Sequence, residues 1–221
     1  MNILITGSYG LVGKLISAEL REQYRVICLD KKLGADILSD PIEQYLKDVD
    51  TIIHLAANPN PFINEEEAQK NIEISRALIK ASRDYSIKRI INASSINVYS
   101  YIDLLESGQR LTSQTPLSPN LRFGNGKYGN AKIEVERLFK EYCKTREISL
   151  LNLRLGCVTP YNLPCIQEDG HIEPADYEIH LRHEDLLKII KQGLEYKGIG
   201  SYVCVSKKNG LVDDSIRFPL D

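Results

Sequence analysis

The sequence predicts an α/β protein: a doubly wound parallel sheet with a small carboxy-terminal extension. Three observations carry that prediction. Short runs that are apolar throughout alternate with stretches of helical period, the pattern of parallel strands covered on both faces. A glycine-rich turn joins the first strand directly to the first helix. The 221 residues, 43% hydrophobic and 26% charged, suffice for one sizeable core and are unlike a disordered chain.

Residues 3–6 form the first apolar run. Leu11, Leu15 and Ala18, flanked by Val12, Ile16 and Leu20, recur at helical spacing. Residues 25–30 read as a second buried strand, and Asp40-Pro41 as the cap and first position of a short helix. A third strand spans 51–55. Ala68, Ile72, Ser75 and Ile79 mark one face of a helix over about 64–84, and a fourth strand spans 88–93. Residues 99–125 show no period and hold Gly108, Pro116, Pro119 and Gly124, so they read as a long functional loop. Tyr128, Ala131, Val135, Leu138 and Tyr142 mark the next helix, and 148–155 the fifth strand. Residues 1–158 thus form the doubly wound unit. Residues 159–221 are irregular except for a helix near 184–196 and a strand near 201–205, expected to join the main sheet.

Charge narrows the function classes. With 28 Lys+Arg against 30 Asp+Glu, the formal charge of −2 argues against nucleic-acid binding, which needs a basic excess or patch. No apolar run reaches the roughly 18 residues of a membrane span. The chain opens on a strand with no basic leader, which predicts a cytoplasmic protein. Its five cysteines, at 28, 143, 157, 165 and 204, include no Cys-x-x-Cys and read as reduced thiols. Cys28 and Cys204 behave as small hydrophobes, while Cys157 follows a strand end near the candidate site. His171, Glu173, Asp176, His180 and His183 match no ligand spacing and read as hydrogen-bonding loop residues, so no metal is expected.

The turn is Thr6-Gly7-Ser8-Tyr9-Gly10-Leu11-Val12-Gly13. Glycine lets the backbone turn tightly and lets phosphate oxygens approach the amides; the free N–H groups and dipole of the helix start favour a pyrophosphate. A glycine triplet alone marks only a strand–helix turn, but here both flanking elements are present. Gly7, Tyr9, Gly10, Leu11, Val12 and Gly13 are therefore candidate dinucleotide contacts. Asp30 closes the second strand, where a carboxylate accepts hydrogen bonds from ribose hydroxyls and repels a 2′-phosphate. That favours NAD. Lys31 and Lys32 follow and attract phosphate, which leaves NADP as the alternative.

Tyr128-Gly129-Asn130-Ala131-Lys132 puts a phenol and an ammonium four apart on one helix face. An ammonium about 4 Å away at an effective dielectric near 20 is worth about 4 kcal/mol. Lowering a tyrosine from about 10 toward 7 takes a similar amount, at about 1.4 kcal/mol per pKa unit. With a cationic nicotinamide nearby, the expectation is a tyrosine base at neutral pH. The same pair on a surface would mean nothing. It gains weight from Ser94-Ser95-Ile96-Asn97-Val98-Tyr99 after the fourth strand, because open α/β sheets bind ligands beyond their strands' carboxyl ends. One of the two serines is expected only to cap a turn.

These pieces together resemble the extended short-chain dehydrogenase/reductase family, the NAD-dependent epimerase/dehydratase group with a Rossmann fold. The matching segments are Thr6-Gly7-x-x-Gly10-x-x-Gly13, Asp30, Asp36-Ile37, His54-Leu55-Ala56-Ala57, Asn71, Ser94-Ser95-x-x-Val98-Tyr99, Tyr128-x-x-x-Lys132 and Leu153-Arg154. The resemblance implies that Ser95 is the catalytic serine, Tyr128 the acid/base and Lys132 the holder of the nicotinamide ribose. It implies further cofactor contacts from Lys31, Asp36, Ile37, Leu55, Ala56, Ala57, Asn71 and Leu155, with Tyr128 and Lys132.

His54 to Pro61 and Arg154-Leu155-Gly156-Cys157 look most like the uronate dehydrogenase branch. That likeness implies a sugar carboxylate held by Arg154, with Asn58, Ser95, Ile96 and Asn97 also facing substrate. The branch carries Ser-Asn-His where this chain has Ser95-Ile96-Asn97. Dehydratase members carry an Asp-Glu pair there, so dehydration is disfavoured. The short stretch after Gly156 points to a small sugar or sugar acid. The expectation is an NAD(P)-dependent sugar oxidoreductase; the alternatives are an epimerase with transient oxidation and a non-catalytic dinucleotide sensor. Family members often pair through two helices, which suggests a homodimer with Leu138 and Tyr142 as apolar candidates.

Overall fold

The computed structural model describes residues 1–165, 173–206 and 210–219. Six strands form one all-parallel sheet: β1 (Asn2–Thr6), β2 (Arg25–Leu29), β3 (Thr51–His54), β4 (Arg89–Ser95), β5 (Ser149–Leu155) and β6 (Ile199–Cys204), in the order β2-β1-β3-β4-β5-β6. The chain leaves β1 on one side to make β2 and returns on the other to make β3. The carboxyl ends of β1 and β3 therefore flank a topological switch point, where ligands of such sheets bind.

The period-two alternation of each strand decides which layer it feeds. Ile3, Ile5, Ile53, Ile91, Leu151 and Leu153 pack with Ile16 and Leu20 of α1 (Leu11–Leu20) and with Leu186, Ile189 and Ile190 of the helix His183–Gly193. Leu4, Ile52, Ile90 and Leu150 face the other way. They meet Leu78 and Ile79 of α2 (Glu65–Ser82) and Val135 and Phe139 of the helix Lys127–Arg146. Each fully buried Leu or Ile contributes about 1.5–3 kcal/mol.

On this second face the strands turn polar toward their carboxyl ends. Leu4 gives way to Thr6, Ile52 to His54, Ile90 to Asn92 and Ser94, and Leu150 to Asn152 and Arg154, all buried. A polar seam thus runs beneath one end of the helix Lys127–Arg146.

Several local expectations change. The segment after Asp40-Pro41 makes only a one-turn 3₁₀ helix, Glu43–Tyr45. The long loop contains a short helix, α3 (Tyr101–Glu106), whose Tyr101 is buried with Leu111 and Leu211. The helix Lys127–Arg146 is accordingly α4, a second unforeseen helix Pro174–Ile179 is α5, and His183–Gly193 is α6. The cysteines are not all thiols: Cys157 and Cys165 are paired, and Cys28, Cys143 and Cys204 are free. A turn tied by Asn162 N–H to Thr159 O (3.2 Å) folds the segment back after β5.

His183 Nε2 lies 2.8 Å from Thr159 O, and His180 bridges to Cys157; His171 lies outside the described residues. Among the described residues no group of His, Cys, Asp and Glu could hold a metal ion, and no helix is long and apolar enough to cross a membrane.

Candidate active site

The glycine turn lies where β1 meets α1. Gly7 has φ +70°, and a Cβ there would stand 2.7 Å from the amide nitrogen of Ala56, so the turn runs hard against the β3 end. A Cβ on Gly13 would collide with Gly7 O, so α1 also packs tightly on the turn. Gly10 caps α1 with no side-chain bond, and the first turn of α1 carries no acidic residue. Ser8 Oγ is buried there with no partner among the described residues. Open amides, a positive dipole end and an orphaned hydroxyl form a cradle that fits a pyrophosphate.

Beside it lies a cavity of about 380 Å³. Gly7, Asp30, Lys31, Asp36, Ile37, Ala56, Ala57 and Asn71 line it, which gathers eight of the candidate cofactor residues in one place. Asp30 accepts from Tyr9 N–H (2.7 Å) and Lys32 N–H (2.9 Å), so it braces the glycine turn while keeping lone pairs for a ribose. Lys31 pairs with Asp36 at 2.9 Å across the rim; that contact and the Leu38 amide hold the Asp36 carboxyl below its usual range.

Leu29, Ala35, Leu38, Glu67, Lys70 and Ile74 also line the cavity and were not foreseen. Glu67 and Ile74 lie four before and three after Asn71, at helical spacing, a signal that was available. Asn58, expected to face substrate, lines this cavity too. Its Nδ2 donates to Glu67 Oε1 (3.0 Å), its Oδ1 accepts from Asn60 N–H (3.1 Å), and its backbone exchanges bonds with the Asn71 amide.

The catalytic candidates sit beyond β4 and on α4. Ser95 ends β4 and caps a short 3₁₀ turn, accepting from Asn97 N–H (3.2 Å) and Asn97 Nδ2 (3.3 Å). Leu155 is its register partner on β5. Tyr128 lies in the first turn of α4, packed with Ile63 and Ala68, with its phenol beside the Ser95 hydroxyl. Gly129 permits this meeting, because a Cβ there would run into Asn97 O. Ile96 is buried, and Asn97 Oδ1 is buried with no partner among the described residues. The turn cap falls to Ser95 itself, so neither serine serves only as a cap; Ser94 donates to Glu136 Oε1 at 2.5 Å.

The electrostatics correct one expectation. Burial pushes the Tyr128 phenol up to about 12, against the pull of the neighbouring Ser95 hydroxyl. Lys132 does not reverse this. Its ammonium lies 5.7 Å from the centre of the tyrosine ring and donates to Ala93 O (2.7 Å). Burial draws Lys132 itself down to about 8, with Glu136 opposing. In this geometry burial keeps Tyr128 a protonated phenol, and its use as a base needs positive charge beyond that of Lys132.

Arg154 is turned away from its expected task. Its fork is engaged by Glu136 (2.8 and 3.0 Å) and Tyr99. Sequence reasoning missed Glu136, although a glutamate on the buried stripe of α4 signals an internal cation.

A model of the NAD dependent epimerase/dehydratase family matches residues 3–173. The chain belongs to that family. It is 28% identical to YtbQ, an uncharacterised protein of Bacillus subtilis, over 94% of this chain and 87% of that one. It is 26% identical to an NAD-dependent glucose-6-phosphate dehydrogenase of Haloferax volcanii, over 76% of this chain and 72% of that one. A solved structure of a mutated uronate dehydrogenase superposes with a TM-score of 0.77 at 23% identity, covering 96% of this chain and 77% of the other.

Proposed function

We propose that this protein is an NAD-dependent oxidoreductase that moves a hydride to or from a hydroxyl-bearing carbon of a sugar or sugar acid. The meeting of Ser95, Tyr128 and Lys132 beyond the carboxyl end of β4, on the same sheet edge as the glycine turn after β1, is the observation that carries the reading. Family membership and the glucose-6-phosphate dehydrogenase relative support it.

Gly7 to Gly13, Asp30 and Asn71 would hold NAD, which when bound supplies the hydride acceptor and a positive charge beside Tyr128. In the reducing direction Tyr128 gives its proton to the carbonyl oxygen; in the oxidising direction it takes the hydroxyl proton. Ser95 bonds the same oxygen and fixes its angle. Lys132 keeps an ammonium near the phenol, so that phenolate forms against a countercharge. Asn97 Oδ1 suits a substrate hydroxyl. A homodimer and a cytoplasmic setting belong to the same proposal.

The test is a panel of free sugars, uronates and nucleotide sugars with NAD, following NADH absorbance and product stereochemistry. Net NADH formation is expected; a tightly retained cofactor with epimerised product would replace this reading by epimerisation. Tyr128→Phe should lower turnover by about a hundredfold or more while leaving NAD affinity within a few-fold. Unchanged turnover in that variant would sink the assignment.

A further inference from the structure

We propose that Arg154 is a positioning residue, locking the β4 end that carries Ser95 to the helix that carries Tyr128 and Lys132. Its guanidinium reaches two separate elements. Nε donates to Glu136 Oε1 (3.0 Å) and Nη2 to Glu136 Oε2 (2.8 Å), a bidentate grip on α4 one turn beyond Lys132. Nη1 donates to the Tyr99 hydroxyl, and the guanidinium carbon lies 5.2 Å from the Tyr99 ring centre. Tyr99 closes the turn that Ser95 opens, through its N–H to Ile96 O (3.0 Å). Glu136 also accepts from Ser94, the neighbour of Ser95, and from Ser201 of β6 (3.4 Å). One cation therefore fixes the serine end and the tyrosine end of the candidate site relative to each other.

Burial argues against a substrate role. Arg154 is 9% exposed, Glu136 6% and Tyr99 2%. A sugar carboxylate reaching this guanidinium would displace Glu136 and strand a buried carboxylate, which is strongly unfavourable. The clasp works by geometry. Small displacements between reacting groups lower turnover steeply without weakening ground-state binding.

The kinetic arm of the test rests on the oxidoreductase reading; a second arm does not. Arg154→Lys keeps a cation for Glu136 but loses the fork, and Tyr99→Phe keeps the ring but loses the acceptor. On a neutral sugar and an acidic sugar alike, Arg154→Lys should lower kcat about tenfold or more, and Tyr99→Phe about threefold, with KM within about twofold. Hydrogen–deuterium exchange should quicken together in residues 95–99 and 127–132 of both variants.

A raised KM confined to the acidic sugar, with kcat intact, overturns the proposal in favour of a carboxylate grip. Wild-type kcat in both variants overturns it as well. If the wild-type protein turns over no sugar, the oxidoreductase reading fails, and exchange alone decides: a joint rise supports the clasp and unchanged exchange refutes it. If Arg154→Lys does not fold, Tyr99→Phe carries both arms.

Discussion

His54 shows how a single buried side chain ties the sheet end together. Its Nδ1 lies 2.8 Å from Thr6 Oγ1 and its Nε2 3.1 Å from Ser75 Oγ, so it joins β1 and α2. Burial, helped by Lys132, draws its pKa down to about 3, so it stays neutral in the fold. The sign follows from linkage. The unfolded chain binds this proton below about 6.5 and the folded chain only near 3, so this site lowers stability by about 1.4 kcal/mol per pH unit in between. Above about 6.5 it has no such effect. His54→Asn should remove that slope: between pH 7 and pH 5 the melting temperature of the variant should fall less than that of the wild type. Equal falls in a thermal scan would refute the assignment. Single residues were unevenly legible. Gly7, Asp30, Tyr128 and Lys132 announce themselves by spacing. The Arg154–Glu136 pair does not, because it joins a strand to a helix whose mutual register only the folded sheet defines.

At the scale of elements, strands and long helices were readable because burial imposes a period on them. The helices α3 and α5, at six residues each, are too short to show one, and contacts beyond their own sequence hold them. The region after Pro41 carried a good helix start, yet it closes as a single 3₁₀ turn whose flanking Ile42 and Leu46 pack into the core. The start of α2 is the opposite case. Asn64 and Glu67 form a capping box, and the same Glu67 holds Asn58 on the cavity wall. The turn before α1 yields a direct test. Gly13→Ala would drive a methyl group into Gly7 O, pushing α1 off the turn. NAD affinity in calorimetry should fall about tenfold or more, since the amides no longer converge on a pyrophosphate, while far-UV circular dichroism stays native. Wild-type affinity would show that the turn does not carry the cofactor.

For the whole molecule, the outer surfaces of α2 and α4 bear on self-association. Of the apolar candidates for pairing, Tyr142 is buried in the core with its hydroxyl donating to Ser82 O (3.1 Å), and Leu138 is half-buried against the same core. The outward faces instead carry ion pairs, among them Arg76–Glu134 (3.3 Å) and Arg137–Glu134 (2.8 Å). Such exposed pairs add little stability to one chain, but they can rearrange between two. A dimer through this face should dissociate in light scattering as salt rises from about 0.05 M to about 1 M, where the screening length shrinks to about 3 Å. Indifference to salt would place any contact elsewhere.

The last strand also has a bearing on how the chain can be divided. Gly156 N–H donates to Cys204 O (2.9 Å), and Ser201 on β6 touches the same carboxylate that Arg154 grips. Trimming the polypeptide at residue 158 would let water flood the clasp, and a fork tuned for a dry setting would loosen into ordinary hydrated charge. Residues 1–158 are thus no transplantable cassette: the buried Arg154–Glu136 pair borrows its dryness from the far end of the chain.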